Sequence, residues 1–176
     1  MSERVSTIIS TLTRRIPAAM GAAAVAALAY TALAQGTQLA NPETAGEVTF
    51  LGHAVAPETL TLGAQIYAGR CASCHGAKLE GQPDWKRRLA NGRMPAPPHD
   101  MSGHTWHHSD QNLFLITKKG IGAVVPGYES NMPVFSEMLS DEEITAVLAW
   151  IKSTWPERQR GFQAEVTAND EPEGGS

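Results

Sequence analysis

The motif Cys71-Ala72-Ser73-Cys74-His75 constrains this chain of 176 residues more strongly than any other feature of its sequence. Two cysteines three positions apart, followed directly by a histidine, have the spacing of a covalent attachment site for c-type haem. The two thiols can bond to the vinyl groups along one edge of a porphyrin, while the imidazole lies under the iron as an axial ligand. The motif therefore predicts one covalent haem bound by Cys71, Cys74 and His75.

A redox-active dithiol and a zinc site can use the same cysteine spacing. A thioredoxin-like dithiol lies near a βαβ pattern, which this sequence lacks, and a tetrahedral zinc site needs two further ligands. Cys71 and Cys74 are the only cysteines, so no second pair can supply those ligands. Four histidines could in principle complete such a site: His99, His104, His107 and His108.

The chain begins as exported proteins do. A polar stretch with Arg14-Arg15 precedes an apolar, alanine-rich run that ends at Ala32-Leu33-Ala34, where small residues suit a signal peptidase. Residues 1–34 are therefore predicted to be a cleaved signal peptide. An uncleaved membrane anchor is the alternative, because the run nearly reaches the roughly 20 apolar residues of a spanning helix. Both interpretations place the later residues on the periplasmic side of a bacterial inner membrane.

Composition divides the remaining chain into three parts. Residues 35–57 lack sustained apolar periodicity and are predicted to form a linker or N-terminal arm. Residues 58–156 have the length of one domain. Residues 157–176 are polar and are predicted to form a disordered tail. The net charge of −4 gives no support to nucleic-acid binding.

Three helices are predicted in the central part. The first begins near Pro57-Glu58-Thr59 and leads straight into Cys71. The second has Ser109 as its N-cap and ends at Lys118-Lys119-Gly120, where cations and glycine favour a helix C-terminus. The third opens with the capping box Ser140-Asp141-Glu142-Glu143 and ends by Pro156. Their apolar faces are Leu62, Ile66 and Tyr67 in the first, Leu113, Ile116 and Thr117 in the second, and Ile144, Val147, Leu148 and Ile151 in the third.

No strand pattern competes with these helices. Residues 76–108 are too rich in glycine, proline and polar side chains to build a core, so the domain would be short of buried apolar surface. A haem supplies a large flat apolar body around which short helices and long loops can pack. We therefore expect the domain to be unfolded or molten without haem.

A second axial ligand has to come from downstream of the motif. Met132-Pro133 lies shortly before the third helix, in a turn-rich segment able to bend across the other haem face. A thioether there would stabilise ferrous iron and raise the reduction potential. Met94-Pro95 and Met101 are alternatives, and any methionine can instead fill a gap in the core. We expect His75 and Met132 to bind the iron.

Three ordered segments carry a family resemblance. They are the helix ending in Cys71-Ala72-Ser73-Cys74-His75-Gly76, the loop Asn131-Met132-Pro133-Val134-Phe135, and the closing helix from Leu139 to Trp150-Ile151. Together they resemble the mono-haem class I c-type cytochromes exported by bacteria. The resemblance covers residues 58–156.

The resemblance implies an all-α fold, with short helices and long loops around one covalently bound haem. It implies that the first and last helices cross, so that Gly63 and Tyr67 meet the face bearing Trp150. It also implies that a backbone carbonyl at Pro97 or Pro98 accepts a hydrogen bond from the haem-binding histidine and tunes its basicity.

An iron with both axial positions filled favours electron transfer over catalysis. We therefore expect a periplasmic electron carrier that is not an enzyme and that cycles between Fe(III) and Fe(II). Its partners would be a redox protein donor and acceptor, one of which could be membrane-bound. Membrane contact by this chain is expected only if the N-terminal run is retained. A cytochrome subunit of an oxidase or dehydrogenase complex is an alternative.

The His/Met-rich loop 94–108 has two interpretations. In one, Trp106 and a histidine hydrogen-bond the haem propionates or pack over the ring. In the other, the loop handles copper, since thioether and imidazole donors suit Cu(I). The residues concerned are Met94, His99, Asp100, Met101, His104, Trp106, His107 and His108.

Although the net charge of the chain is negative, its sequence contains one cluster of basic residues: Lys78, Lys86, Arg87, Arg88 and Arg93. It predicts either a solvated face or a docking patch that steers an acidic partner toward the haem edge.

Overall fold

The computed structural model describes residues 47–170. The signal peptide or anchor predicted at residues 1–34, the first part of the predicted linker and residues 171–176 lie outside the described residues. Within residues 47–170, no helix combines the length and the apolar character needed to cross a membrane.

Helices dominate the described part of the chain. A short antiparallel hairpin, β1 (Thr49–Phe50) and β2 (His53–Ala54), precedes them. The helices are α1 (Pro57–Ile66), α2 (Ala72–His75), α3 (Asp110–Lys119), α4 (Asp141–Ser153) and α5 (Glu157–Asp170), with a π-helical turn over Tyr67–Cys71 and 3-10 turns over Thr105–His107 and Ile121–Ala123. The predicted all-α fold is confirmed.

Local hydrogen bonds set the ends of α3 and α4, as predicted. The Ser109 hydroxyl accepts from the amide of Asn112 at 3.1 Å. At α4 the capping box is complete, because the Ser140 hydroxyl accepts from the Glu143 amide at 3.2 Å and the Glu143 carboxylate accepts from the Ser140 amide at 2.8 Å. Each cap satisfies amides that the first helical turn leaves free.

Helices α1 and α4 cross, as the family resemblance implies. Gly63 lies at the crossing, where an added β-carbon would come within 2.1 Å of the Ala146 carbonyl oxygen. The rings of Tyr67 and Trp150 pack beside it, with centroids 4.8 Å apart. The predicted apolar stripe of α4 is buried and forms the centre of the core: Ile144, Val147, Leu148 and Ile151.

The segment just before α1 is not a simple linker. Residues 49–54 form the hairpin, and Phe50 is almost completely buried in the core at 1% exposure. The amide of Leu51 donates to the Asp110 carboxylate at 2.9 Å, which fastens the hairpin to the start of α3. The apolar residues of this segment, which include Leu39, Phe50, Leu51 and Val55, are not regularly spaced, so its packing could not be predicted from the pattern.

Residues 157–170 form helix α5, so the prediction of a disordered tail is wrong for this range. The polar side chain of Gln163 is fully buried and donates to the Asp110 carboxylate at 2.7 Å and to the His108 carbonyl at 3.2 Å. The Ser109 hydroxyl also hydrogen-bonds the Asp170 carboxylate. The prediction failed because it equated polar composition with exposure to solvent, whereas these side chains pair with the start of α3.

Candidate haem site

The π-helical turn delivers the two cysteines of the motif. It inserts an extra residue into the helical register after α1, and such turns are common at functional sites. Cys71 is partly buried, Cys74 is exposed, and both are free thiols. Burial, reinforced by the nearby Cys74, raises the pKa of the Cys71 thiol to about 11. Two unpaired thiols on one short helical stretch are available for thioether bonds.

The His75 imidazole is buried and held in one orientation. Its Nδ1 lies 2.8 Å from the carbonyl oxygen of Pro97. A carbonyl can only accept, so Nδ1 carries the proton and Nε2 keeps a lone pair for a metal. Burial lowers the pKa of His75, although the hydrogen bond to Pro97 acts in the opposite direction. Of the two prolines left open by the sequence, the structure selects Pro97.

Two further contacts fix the backbone around this histidine. The Tyr67 hydroxyl donates to the Gly76 carbonyl at 2.8 Å, and burial raises the pKa of Tyr67. The amide of Gly81 donates to the His75 carbonyl at 2.7 Å. The motif therefore lies on a scaffold whose polar groups already have partners.

The loop bearing Met132 packs against the core. Met132 is partly buried against the core, and its amide donates to the Ser130 hydroxyl at 3.0 Å. The guanidinium of Arg93 donates to the Asn131 side chain at 2.7 Å and lies 3.6 Å from the Glu129 carboxylate. Arg93 thus connects the Met132 loop to the loop of residues 76–108. Met101, an alternative candidate for the second ligand, is 58% exposed.

Two imidazoles proposed as copper ligands, His99 and His104, stack on different partners. In the described part of the chain, no group of three or more His, Cys, Asp or Glu side chains is placed to hold a metal ion. His99 stacks on His75, whereas His104 stacks on Trp85 and meets the edge of His108 at a centroid distance of 5.5 Å. The His/Met-rich loop is therefore divided between two different environments.

Trp106 packs against a third set of rings. Its ring packs near those of His107 and Phe162, with centroids 3.8 Å and 5.4 Å away. Its indole N–H is buried and has no hydrogen-bond partner among the described residues. A buried donor without an acceptor is costly, so the group suits an acceptor supplied by a ligand, such as a carboxylate of a haem propionate.

The basic residues are also divided. Arg88 donates to the Gly92 carbonyl at 2.7 Å and lies over the Tyr128 ring, and Arg93 binds the Met132 loop. Lys78, Lys86 and Arg87 are exposed. Arg88 is exposed as well and only Arg93 is partly buried, so most of the predicted patch faces solvent.

The position of His99 is the feature that sequence reasoning missed. The sequence offers it as a metal ligand or as one of several loop residues near the haem, whereas its ring lies against that of His75 with centroids 4.0 Å apart. The sequence Pro97-Pro98-His99 contains a weak indication, because a residue two positions after the hydrogen-bonding carbonyl must lie near the same imidazole.

Comparison with known proteins agrees with this geometry. The family model described as Cytochrome c matches residues 60–155, which include the motif, the Met132 loop and α4. No curated protein matched the chain, and no solved structure did. A free thiol pair and an imidazole whose Nε2 lone pair remains available fit the group that this family carries. The chain belongs to the cytochrome c family and binds its c-type haem covalently.

Proposed function

We propose that this cytochrome is a periplasmic electron carrier whose haem is attached to Cys71 and Cys74 and ligated by His75 and Met132. When bound, the haem supplies one-electron exchange between Fe(III) and Fe(II). The observation that carries the proposal is the 2.8 Å contact between His75 Nδ1 and the Pro97 carbonyl, which leaves Nε2 free for iron. Such a hydrogen bond fixes the tautomer of a ligating histidine and raises its basicity.

Met132 is the proposed second ligand because its loop is restrained. Arg93 holds Asn131 and Glu129, and the Met132 side chain already packs against the core. A restrained thioether limits rearrangement between the two oxidation states and leaves no axial position for a substrate. These properties favour a carrier over an enzyme.

Substitution of the methionines tests the ligand assignment. In Met132→Ala, the thioether-to-iron absorption band of the ferric protein should disappear, and the reduction potential should fall. Met94→Ala is the matched control and should keep the band. A band that persists in Met132→Ala and disappears in Met94→Ala would transfer the role to Met94.

We also propose that Lys78, Lys86 and Arg87 steer an acidic redox partner. These side chains are exposed; Arg88 is exposed too, although its guanidinium donates to the Gly92 carbonyl, and the partly buried Arg93 donates to the Asn131 side chain. Attraction between exposed charges is screened by salt, so the effect should appear in association rates.

The rate of electron transfer from the ferrous protein to hexacyanoferrate(III), an anionic probe, should fall as salt is added. In a Lys86→Gln/Arg87→Gln variant the rate at low salt should be several-fold lower and less dependent on salt. Lys119→Gln, at an exposed lysine on α3, is the control. Equal salt dependence in all three proteins would contradict steering by this patch.

Export is proposed from residues 1–34 alone. The mass of the mature native protein would report cleavage after Ala34 together with the added haem. A retained segment would indicate an anchored protein instead.

A further inference from the structure

His99 is held rigidly on one face of the His75 ring. The two imidazole rings lie 22° from parallel with centroids 4.0 Å apart. Behind the contact, His99 Nδ1 lies 2.8 Å from the Thr105 hydroxyl oxygen. The His99 backbone is also held by hydrogen bonds. Its amide donates to the Leu79 carbonyl at 2.8 Å, and its carbonyl accepts from the Trp155 indole at 2.7 Å. These contacts hold the His99 ring in one position beside His75.

Without His99, nothing described above restrains the face of the His75 ring. The hydrogen bond from Nδ1 to Pro97 fixes one edge of the ring, but a single bond permits rocking about the line that joins its two atoms. Stacked rings at this separation are near van der Waals contact, so movement of His75 toward His99 is resisted. The hydrogen bond and the stacked face together define the ring plane.

We propose that His99 is a positioning residue that sets the plane of the His75 ring relative to the haem. The inference rests on the proposed role of His75 as an axial ligand. Outer contacts that orient a ligating histidine tune the metal, and the ring plane determines how its π orbitals overlap with those of iron. His99 contacts His75 and not the iron, so it acts through the ligand.

The haem methyl resonances in the proton NMR spectrum of the ferric, haem-loaded protein test this inference, because their order and spread depend on the axial ring plane. His99→Leu removes the planar contact and should change the methyl pattern. His99→Phe keeps a planar ring but loses the hydrogen bond to Thr105, so its pattern should be displaced less than that of His99→Leu. Thr105→Val keeps the His99 ring but removes the same anchor, so its pattern should also lie between those of the wild type and His99→Leu.

A wild-type methyl pattern in His99→Leu would overturn the inference, and so would a pattern in His99→Phe displaced as far as that of His99→Leu. If His99→Leu does not retain haem, the other two variants decide. A displaced pattern in either of them would support the inference, and wild-type patterns in both would overturn it. Failure of the proposed function would be seen differently, as a ferric spectrum of the unsubstituted protein that lacks a histidine–methionine pair.

Discussion

At the scale of single residues, backbone groups decide what the side chains can do. The Pro97 carbonyl fixes the tautomer of His75, and a proline at that position leaves the carbonyl as its only polar backbone group. The His99 imidazole pairs with a side chain instead, the Thr105 hydroxyl. His104 and His108 lie edge to face, and desolvation lowers the pKa of each. The nearby His107 lowers both pKa values further, and Lys86 acts on that of His104.

The lowered pKa values predict an acid-sensitive fold. Above the ordinary histidine value of 6.5, the two side chains are neutral in both states and the stability is complete. Below it, the unfolded chain binds protons that the folded protein does not bind as readily. The free energy of unfolding therefore decreases as the pH decreases. Denaturant unfolding of the haem-loaded protein from about pH 7.5 to about pH 5 measures this slope. His108→Gln should reduce the slope, and His53→Gln, exposed in β2, should not. Equal slopes in all three proteins would contradict the prediction.

At the scale of elements, the helix crossing matters more than the intrinsic stability of either helix. Short isolated helices are marginal in water, and tertiary packing of one face stabilises them. At the crossing of α1 and α4 the two backbones approach so closely that Gly63 has no room for a side chain. The π-helical turn that follows rotates the chain after the crossing and so determines where Cys71 lies.

Gly63→Ala should destabilise the haem-loaded protein by about 1–3 kcal/mol, because the new methyl group meets the Ala146 carbonyl and the Trp150 β-carbon. Gly69→Ala is the matched control, since no atom lies within 4 Å of the position of its β-carbon. That control should change the stability by less than about 1 kcal/mol. Equal changes in the free energy of unfolding for Gly63→Ala and Gly69→Ala would show that the close approach of α1 and α4 does not determine the stability.

At the scale of the whole molecule, one buried ion pair joins elements that are distant in sequence. The Lys152 ammonium of α4 lies 3.0 Å from the Asp110 carboxylate of α3, and both side chains are less than 10% exposed. The same carboxylate accepts from the Leu51 amide beside β1 and from the Gln163 amide of α5. The Asp110 amide also donates to the Thr167 hydroxyl at 3.1 Å. The hairpin, α3, α4 and α5 therefore meet at a single aspartate.

Lys152→Met should lower the free energy of unfolding by about 3–5 kcal/mol, because it leaves a buried carboxylate without its counter-charge. Lys118→Met is the comparison, since its partner Asp141 is more than half exposed. Loss of that surface pair should cost at most about 1 kcal/mol. Similar losses for the two variants, measured by denaturant unfolding, would contradict a special role for Asp110.

Features encoded within a few residues were predictable. The caps Ser109 and Ser140 bind amides three positions away, so α3 and α4 begin where the sequence indicates. The haem motif is equally local, because one porphyrin edge sets its spacing. By contrast, α5 depends on Gln163, which donates to His108 and Asp110, both more than 50 positions away along the chain.

By itself the sequence determined the covalent haem, the helical class of the fold and the boundaries of its capped helices, because each depends on short-range geometry. Only the tertiary structure decided between Pro97 and Pro98, stacked His99 on His75 and His104 on Trp85, and turned a polar C-terminal segment into a packed helix. These outcomes depend on which distant groups meet once the chain is folded. A polar side chain is exposed or buried according to its partner, and local composition does not specify that partner.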